Sequence, residues 1–122
     1  MSKQFHGCAT IFIVNDLARS IAFYGDVLGF NIAFSYGEPP SYAGVERDDV
    51  IIHLFDAKRA PRQAGQGGIY IFATDVDAIY REFTSRGGVA MGEPGDRPYG
   101  MRDFDVKDPD GNWVSFGCES KT

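Results

Sequence analysis

"FIVNDLARSIAFYGDVLGF" runs from Phe12 to Phe30, and "IFATDVDAIYREFTSRGGV", from Ile71 to Val89, repeats its pattern. Each stretch holds an apolar strand, a polar turn with an aspartate, a helical pattern and a stop that contains glycine. Asp16 and Asp75 occupy the same position in the two copies. Because an internal repeat of this length sets the architecture of a chain, the sequence predicts two structurally similar halves.

One helix is predicted in each half. Asn15 or Asp16 is suited to cap the first helix, and Thr74 or Asp75 the second, because these side chains accept hydrogen bonds from free backbone N–H groups. Apolar residues then recur at helical spacing in both segments. This spacing predicts that each helix packs one face against a sheet.

Strand patterns surround both helices. One apolar strand precedes each helix and three follow it, at residues 30–36, 41–48, 50–56, 88–94, 101–108 and 112–118. The order βαβββ therefore occurs twice, with repeat one at residues 6–57, a polar linker at 58–67 and repeat two at 68–119. The predicted fold is α+β, a single domain over residues 1–122 in which two curved antiparallel sheets surround a cleft.

The chain has 122 residues and a net charge of −5 at pH 7. Nucleic-acid phosphates bind basic surfaces, so this acidic balance fits a cationic small molecule or simply solubility. No apolar run approaches the roughly 18 residues that cross a membrane, and the first residues lack the apolar segment of a signal peptide. We therefore expect a cytoplasmic protein with no nucleic-acid or membrane partner.

The strand residues that point away from the helices form the candidate site. Successive side chains of a strand lie on opposite faces, and the aliphatic face of each strand suits the core beneath a helix. The other faces mix aromatic with small polar side chains, which is typical of a ligand cavity; these residues are His53, Tyr70, Phe72, Trp113 and Ser115. In the alternative, the same aromatics fill a second core, and the pattern alone does not separate the two.

Two motifs carry a resemblance to a known family. "DLARSIAFYGDVLGF", Asp16 to Phe30, and "RDFDVKDPDGNWVSF", Arg102 to Phe116, resemble the vicinal oxygen chelate superfamily. Its members include glyoxalase I, extradiol dioxygenases, fosfomycin-resistance enzymes and bleomycin-resistance proteins. The resemblance covers roughly Ala9 to Cys118 and implies the glyoxalase/bleomycin-resistance fold, whereas function has to be argued from the site.

The catalytic members of that superfamily hold a divalent metal with four protein ligands. By resemblance these positions fall on Ala9, His53, Gly68 and Ser115, of which only His53 is a good ligand. His6 lies nearby, but a shift of three residues would place it on the other strand face. The resemblance therefore implies no metal, no cofactor and no catalytic residue. The alternative is a metal-dependent lyase or dioxygenase with a non-standard site.

The non-catalytic branch resembles the chain more closely. "YAGVERDDV", Tyr42 to Val50, and "PYGMRDFDVKDPDGN", Pro98 to Asn112, are similar to segments of bleomycin-resistance proteins. Those proteins are homodimers that sequester a cationic aromatic drug in clefts between the subunits without modifying it. Tyr70 and Phe72 stand where the best-known members carry Trp. The resemblance implies a homodimer that binds a small-molecule ligand with a cationic group.

Aromatic and polar side chains are the candidates for the walls of such a cleft. Aromatic walls stack on flat ligands and attract cations, His53 and Ser115 could hydrogen-bond the ligand, and Asp103 beside Asp105 would attract a positive charge. The aromatic candidates are Phe34, Tyr36, Tyr42, Tyr70, Phe72, Tyr99 and Trp113. A buried His53 with a structural partner, a solvated acidic edge strand and a protein-binding module with a filled cavity remain the alternatives.

Overall fold

A computed structural model describes residues 3–121. The elements follow the predicted order, with a helix after the first strand of each half. They are β1 (Thr10–Val14), α1 (Leu17–Asp26), β2 (Asn31–Tyr36), β3 (Tyr42–Arg47), β4 (Val50–Asp56), β5 (Gly68–Phe72), α2 (Val76–Ser85), β6 (Gly95–Asp96), β7 (Met101–Lys107) and β8 (Trp113–Glu119). Within residues 3–121, neither helix is long and apolar enough to cross a membrane.

Both helices begin after an aspartate. Asp16 accepts a hydrogen bond from the backbone N–H of Arg19 at 3.1 Å, and Asp75 accepts one from the backbone N–H of Ala78 at 3.1 Å. Each carboxylate satisfies a backbone donor that has no partner within the helix. Of the two candidates predicted for each helix, the aspartate is therefore the cap.

The two sheets have the strand orders β1–β4–β3–β2 and β5–β8–β7–β6. β1 runs parallel to β4, and β5 runs parallel to β8, whereas the other neighbours are antiparallel. The sheets are mixed, so the prediction of wholly antiparallel sheets is wrong at these two pairings. The helix returns the chain before the second strand, which gives β2 the direction of β1. Two hairpin reversals then give β4 that direction as well.

The strand predicted at residues 88–94 is also wrong. The chain there forms only an isolated bridge between Ala90 and Val106, and the two-residue strand β6 follows it. Gly92 offers no side chain to pack, and Pro94 has no N–H to donate to a strand ladder. The outer strand of the second sheet is therefore much shorter than the six-residue β2 of the first sheet.

The core lies between each sheet and its helix. Alternate side chains of the strands point into it, as the face assignment predicts, and they are almost completely buried. In the first half these are Phe12, Val14, Val45, Ile52 and Leu54, and in the second half Ile71, Phe104, Val106, Val114 and Phe116. The opposite sheet faces stay open in a single chain: Tyr70 is 37% exposed, Phe72 is 78% exposed and Trp113 is 39% exposed. The second-core alternative is therefore wrong for these aromatics within one chain.

The turn between β7 and β8, "DPDGN", ties the two halves together. Its Asp110 carboxylate accepts hydrogen bonds from the Asn15 amide at 3.0 Å and from the Arg19 guanidinium at 3.0 Å. Asp108 of the same turn accepts a hydrogen bond from the buried Tyr24 hydroxyl at 3.0 Å. The second half thereby fixes the first turns of α1, and with them the sheet that α1 covers.

Candidate functional site

The open side of the first sheet, called the first face, carries Phe34, Tyr42, His53 and Phe55. Strand register places Gly44 between Phe34 and His53 in one row across the sheet. The Phe34 ring lies directly over Gly44, where a Cβ atom would clash with it, and meets His53 edge-on at 5.2 Å between ring centroids. The missing side chain of Gly44 therefore lets an aromatic ring lie flat on the floor of this face.

A hydrogen bond joins the two polar aromatics of the first face. The Tyr42 hydroxyl and His53 Nδ1 lie 2.8 Å apart. Burial raises the pKa of Tyr42 above its ordinary value. The Tyr42 ring is nearly parallel to Phe34 at 6.2 Å and lies 5.0 Å from Phe55, between ring centroids. His53 is therefore held in place by a structural partner and surrounded by aromatic rings.

A cleft of about 680 Å³ opens beside these rings. Its walls are mainly aromatic, and its lining residues are Phe34, Ser35, Tyr36, Ser41, Tyr42, Phe55 and Arg59. Three predicted candidates, Phe34, Tyr36 and Tyr42, meet here. The sequence selection missed Phe55, which the alternation with His53 on β4 indicates, and Arg59, which lies in the predicted linker and has no sequence signal.

The open side of the second sheet, called the second face, carries Tyr70, Phe72, Trp113 and Ser115. The Tyr70 ring lies over Gly117, as Phe34 lies over Gly44 in the first half. Its hydroxyl donates a hydrogen bond to Asp103 at 2.9 Å, and Phe72 lies 5.5 Å from it between ring centroids. The two halves thus share one packing arrangement, in which an aromatic ring covers a glycine of a central strand.

Asp103, one of the two carboxylates predicted to attract a cation, has its negative charge compensated by neighbouring side chains. Asp103 is buried and accepts hydrogen bonds from Arg97 Nε at 2.7 Å, the Tyr99 hydroxyl at 2.7 Å and the Tyr70 hydroxyl. Burial raises the pKa of Asp103, but these hydrogen bonds, with that from Arg97 the largest, hold it below its ordinary value. The Asp103 charge is therefore neutralised inside the protein, where it fixes Tyr70 and Tyr99.

Asp105 and Trp113 complete the second face. The Ser115 hydroxyl donates a hydrogen bond to Asp105 at 2.6 Å. Among residues 3–121, no Lys, Arg or His nitrogen lies within ion-pair distance of Asp105. The Lys107 ammonium lies over the Trp113 ring at 5.5 Å from its centroid. One side of the only Trp is therefore already covered by an internal cation.

The predicted site residues divide between the two faces. Phe34, Tyr36, Tyr42 and His53 belong to the first face. The second face collects Tyr70, Phe72, Tyr99, Asp103, Trp113 and Ser115. The sequence had placed all ten around one cleft, and the chain presents them on two separate sheets.

The positions of the superfamily metal ligands do not fit a metal. The side chains of Ala9 and Gly68 have no atom that could bind a metal, and the Ser115 hydroxyl donates a hydrogen bond to Asp105. On β1 the residue paired with His53 is Ile11, which has no donor either. In the part of the chain from residue 3 to 121, no three His, Cys, Asp or Glu side chains group as metal ligands. The donor set offers one imidazole where a stable site needs several ligands.

Comparison with known proteins gives one family match. The profile of the family described as "Glyoxalase/Bleomycin resistance protein/Dioxygenase superfamily" matches residues 6–116. No protein of curated function matches the chain.

Solved structures match the fold over nearly the whole chain. TnmS3 of Streptomyces sp. CB03234, described as an antibiotic binding protein, is 25% identical, with a TM-score of 0.81 over 98% of this chain and 100% of that one. A superfamily member from Sphaerobacter thermophilus DSM 20745 is 26% identical, with a TM-score of 0.79 over 94% and 98% of the two chains. TioX of Micromonospora sp. ML1 shares the fold at 16% identity, with a TM-score of 0.80 over 95% and 100%.

Proposed function

The chain belongs to the glyoxalase/bleomycin resistance protein/dioxygenase superfamily, and we propose that within it the protein binds and sequesters a flat aromatic small molecule without using a metal. The observation that carries the proposal is the cleft on the first face. Its walls are Phe34, Tyr42 and Phe55, and three of the four superfamily ligand positions lack a good metal donor, which leaves His53 alone. Aromatic walls of this kind hold flat ligands by stacking, at about 0.5–1.5 kcal/mol for each good ring pair.

A structural relative supports this reading. TnmS3, which aligns over nearly the full length of both chains, is described as an antibiotic binding protein. Binding without chemistry requires shape and stacking surface rather than an acid–base pair. In the first face the one imidazole, His53, is already bonded to Tyr42. We therefore propose an antibiotic-like aromatic compound as the ligand.

The proposal includes a homodimer. Both faces expose large aromatic side chains, with Tyr36 73% exposed and Phe72 78% exposed. Contiguous exposed apolar surface of this kind marks interaction sites. We propose that the first face of one copy meets the second face of its partner, so that the ligand lies between them and the aromatics of both faces contact it.

More specifically, we propose that the ligand is a cationic drug of the bleomycin type. Two electrostatic features support this. The net charge of −5 speeds the encounter with cations, and the Asp105 carboxylate can contact a cationic group. Asp103 adds little, because Arg97 compensates its charge. Bleomycin is therefore the first ligand to test, and its cationic group would contact Asp105.

The test is a thermal-shift titration with metal-free bleomycin, repeated with a panel of divalent metals and with a chelator. A ligand that binds only the folded state raises the melting temperature with concentration. We expect this rise in the wild type and in Phe5→Ala, where a 92% exposed ring is removed, and a loss of the rise in Phe34→Ala. The absence of a rise with drug, together with a rise on metal addition that the chelator reverses, would favour the metal-dependent enzyme instead.

A further inference from the structure

The charge inside the aromatic cleft is opposite to the one expected from the sequence. Of the residues that line the cleft, only Arg59 carries a formal charge at neutral pH. The two carboxylates predicted to attract a cation, Asp103 and Asp105, lie on the other sheet. The formal charge among the residues that line the cleft is therefore positive.

Arg59 differs from the arginines that stabilise the fold. Arg47, Arg97 and Arg102 each form an ion pair with a carboxylate at 2.7–2.8 Å. Within residues 3–121, no carboxylate oxygen lies within 4.0 Å of the Arg59 guanidinium, and no aromatic ring lies beneath it in a cation–π contact. The Arg59 guanidinium therefore keeps its donors for another partner.

The backbone fixes where this charge is placed. The Arg59 N–H donates a hydrogen bond to the Asp56 carbonyl at 2.9 Å, in the turn that follows β4. Asp56 Oδ1 accepts a hydrogen bond from the Lys58 N–H at 2.9 Å, so this carboxylate is directed into the turn. An adjoining depression, which Glu38, Asp56 and Lys58 line, shares Arg59 with the cleft. Arg59 thus stands at the boundary between the aromatic cleft and this depression.

We infer that Arg59 makes the cleft on the first face selective for planar aromatic anions, such as aromatic carboxylates or ionised phenols. The inference rests on the aromatic cleft of the proposed function, and at this cleft it replaces the cationic ligand of the bleomycin type with an anionic one. A guanidinium binds a carboxylate with two parallel hydrogen bonds and is more weakly hydrated than an ammonium group. The aromatic part of the ligand stacks between the rings of the cleft, while its anionic group meets Arg59.

The experiment uses probes that share one ring system and differ in charge. Anthracene-2-carboxylate, anthracene-2-carboxamide and anthracen-2-ylmethylammonium are titrated separately, and binding is followed by anthracene fluorescence. In the wild type we expect the carboxylate to bind about tenfold more tightly than the ammonium probe, the size of one charge-assisted hydrogen-bonded contact. The neutral amide falls between them.

Variants at two arginines separate a local contact from net charge. Arg59→Ala is expected to abolish the preference for the carboxylate, and Arg59→Glu to reverse it. Arg62→Ala makes the same change in net charge at an exposed residue that does not line the cleft, and it should keep the wild-type preference. The melting temperature of each free variant reports whether its fold is intact.

The outcomes separate this inference from the proposed function. If the probes bind but the wild type shows no preference for the anion, or if Arg59→Ala retains it, the role of Arg59 is wrong and the aromatic cleft stands. If none of the three probes binds and bleomycin produces no thermal shift, both the ligand class and the proposed function are wrong. A preference lost equally in Arg59→Ala and Arg62→Ala shows a general charge effect and also overturns the inference.

Discussion

In each half of the chain, the turn between the last two strands crosses to the helix of the other half, but with different chemistry. Arg47, the last residue of β3 before the turn to β4, donates to Glu82 of α2 at 2.8 and 3.0 Å and to the Leu28 carbonyl at 2.9 Å. The turn between β7 and β8 carries Asp108, which is buried against Tyr24 of α1. The contact made by Arg47 is a partly exposed ion pair, whereas the contact made by Asp108 is part of a buried hydrogen-bond network.

This difference teaches which contact holds the halves together. The side chains of Arg47 and Glu82 remain 30% and 26% exposed, so solvent weakens their attraction. Asp108 accepts hydrogen bonds from Tyr24, from the Asn112 amide and from the backbone of Asp110 and Asn112. A buried network of this kind is costly to break, because each lost partner leaves a desolvated polar group unpaired.

The largest loss of stability is expected from removing the buried contact between Asp108 and Tyr24. Asp108→Ala should lower the free energy of unfolding by about 3 kcal/mol, because it leaves the buried Tyr24 hydroxyl without its acceptor and removes one of the two acceptors of the Asn112 amide. Arg47→Met, which removes the partly exposed crossing, should lower it by about 1 kcal/mol or less. Urea unfolding measures both values. Equal losses in the two variants would contradict the distinction between the two turns.

The two sheet faces show a second contrast on the same frame. Phe34 lies over Gly44 without a polar anchor, since phenylalanine has no hydroxyl, whereas Tyr70 lies over Gly117 and is bonded to Asp103. Hydrogen bonding therefore fixes the ring of the second face to its sheet. The ring of the first face is held by contacts alone, which suits a wall that adjusts to a ligand.

Matched glycine substitutions test this contrast. In Gly117→Ala the new Cβ clashes with Tyr70 and displaces its hydroxyl from Asp103, which should destabilise the fold by about 2 kcal/mol through the lost hydrogen bond and the strain. In Gly44→Ala the Phe34 ring is free to swing toward solvent, so we expect a loss of about 1 kcal/mol.

Ligand binding is expected to respond in the opposite order. Gly44→Ala should weaken an aromatic ligand of the first face more than Gly117→Ala does, because it moves a wall of the cleft. Chemical unfolding and a titration with the anthracene probes give the two readouts on the same samples. If Gly44→Ala were the more destabilising variant and left binding unchanged, Phe34 would be a structural ring rather than an adjustable wall.

Protonation of Asp103 supplies a third test. Its pKa lies below the ordinary aspartate value in the folded protein, which is about 3.9 in the unfolded chain. The folded state therefore releases this proton more readily, so its contribution to stability is present above about pH 4 and is lost as the pH falls toward the folded pKa.

Asp103→Asn removes this contribution. We expect the variant to be less stable than the wild type by about 1 kcal/mol at pH 7, since Arg97 is partly solvated. The difference should shrink as the pH falls below about 4. Unfolding curves at pH 7, 5, 4 and 3 measure it, with Asp105→Asn as the isosteric comparison on the same strand. A difference that stays constant over this range would mean that the Asp103 charge is not what the donors stabilise.

Local patterns made much of this fold predictable. Aspartate caps, helical periodicity and strand alternation are properties of neighbouring residues, and they located both helices, the core faces and the open faces. The prediction of an outer strand at residues 88–94 failed because Gly92 and Pro94 disfavour a strand more than the apolar residues of this segment favour it. The parallel pairing of β1 with β4 follows from counting chain reversals, a step beyond the strand pattern itself.

The site was less predictable because it depends on contacts between distant side chains. Nothing in the sequence shows that Arg97 and Tyr99 turn back onto Asp103, which changes an expected binding group into a structural one. Arg59 lies in a polar linker, where an arginine is usually no more than a solvated charge. Phe55 could have been found, because it lies on the same strand face as His53.

The smallest expected effect concerns Lys107 and Trp113. An exposed cation over an aromatic ring contributes about 0.5 kcal/mol, so Lys107→Gln should change stability by no more than that. Unfolding followed by the fluorescence of the single Trp113 measures it, and the emission should respond to loss of the nearby ammonium.

The same variant distinguishes the two faces as ligand surfaces. A cationic ligand that uses Trp113 must compete with Lys107 for the ring, so Lys107→Gln should tighten the ammonium probe about twofold, whereas Lys3→Gln, an exposed substitution that changes the net charge equally, should not. Binding of the carboxylate probe, whose anionic group meets Arg59, should not tighten in either variant. If the ammonium probe gains nothing from Lys107→Gln and leaves Trp113 emission unquenched, cations do not bind the second face, and recognition depends on the cleft beside Arg59.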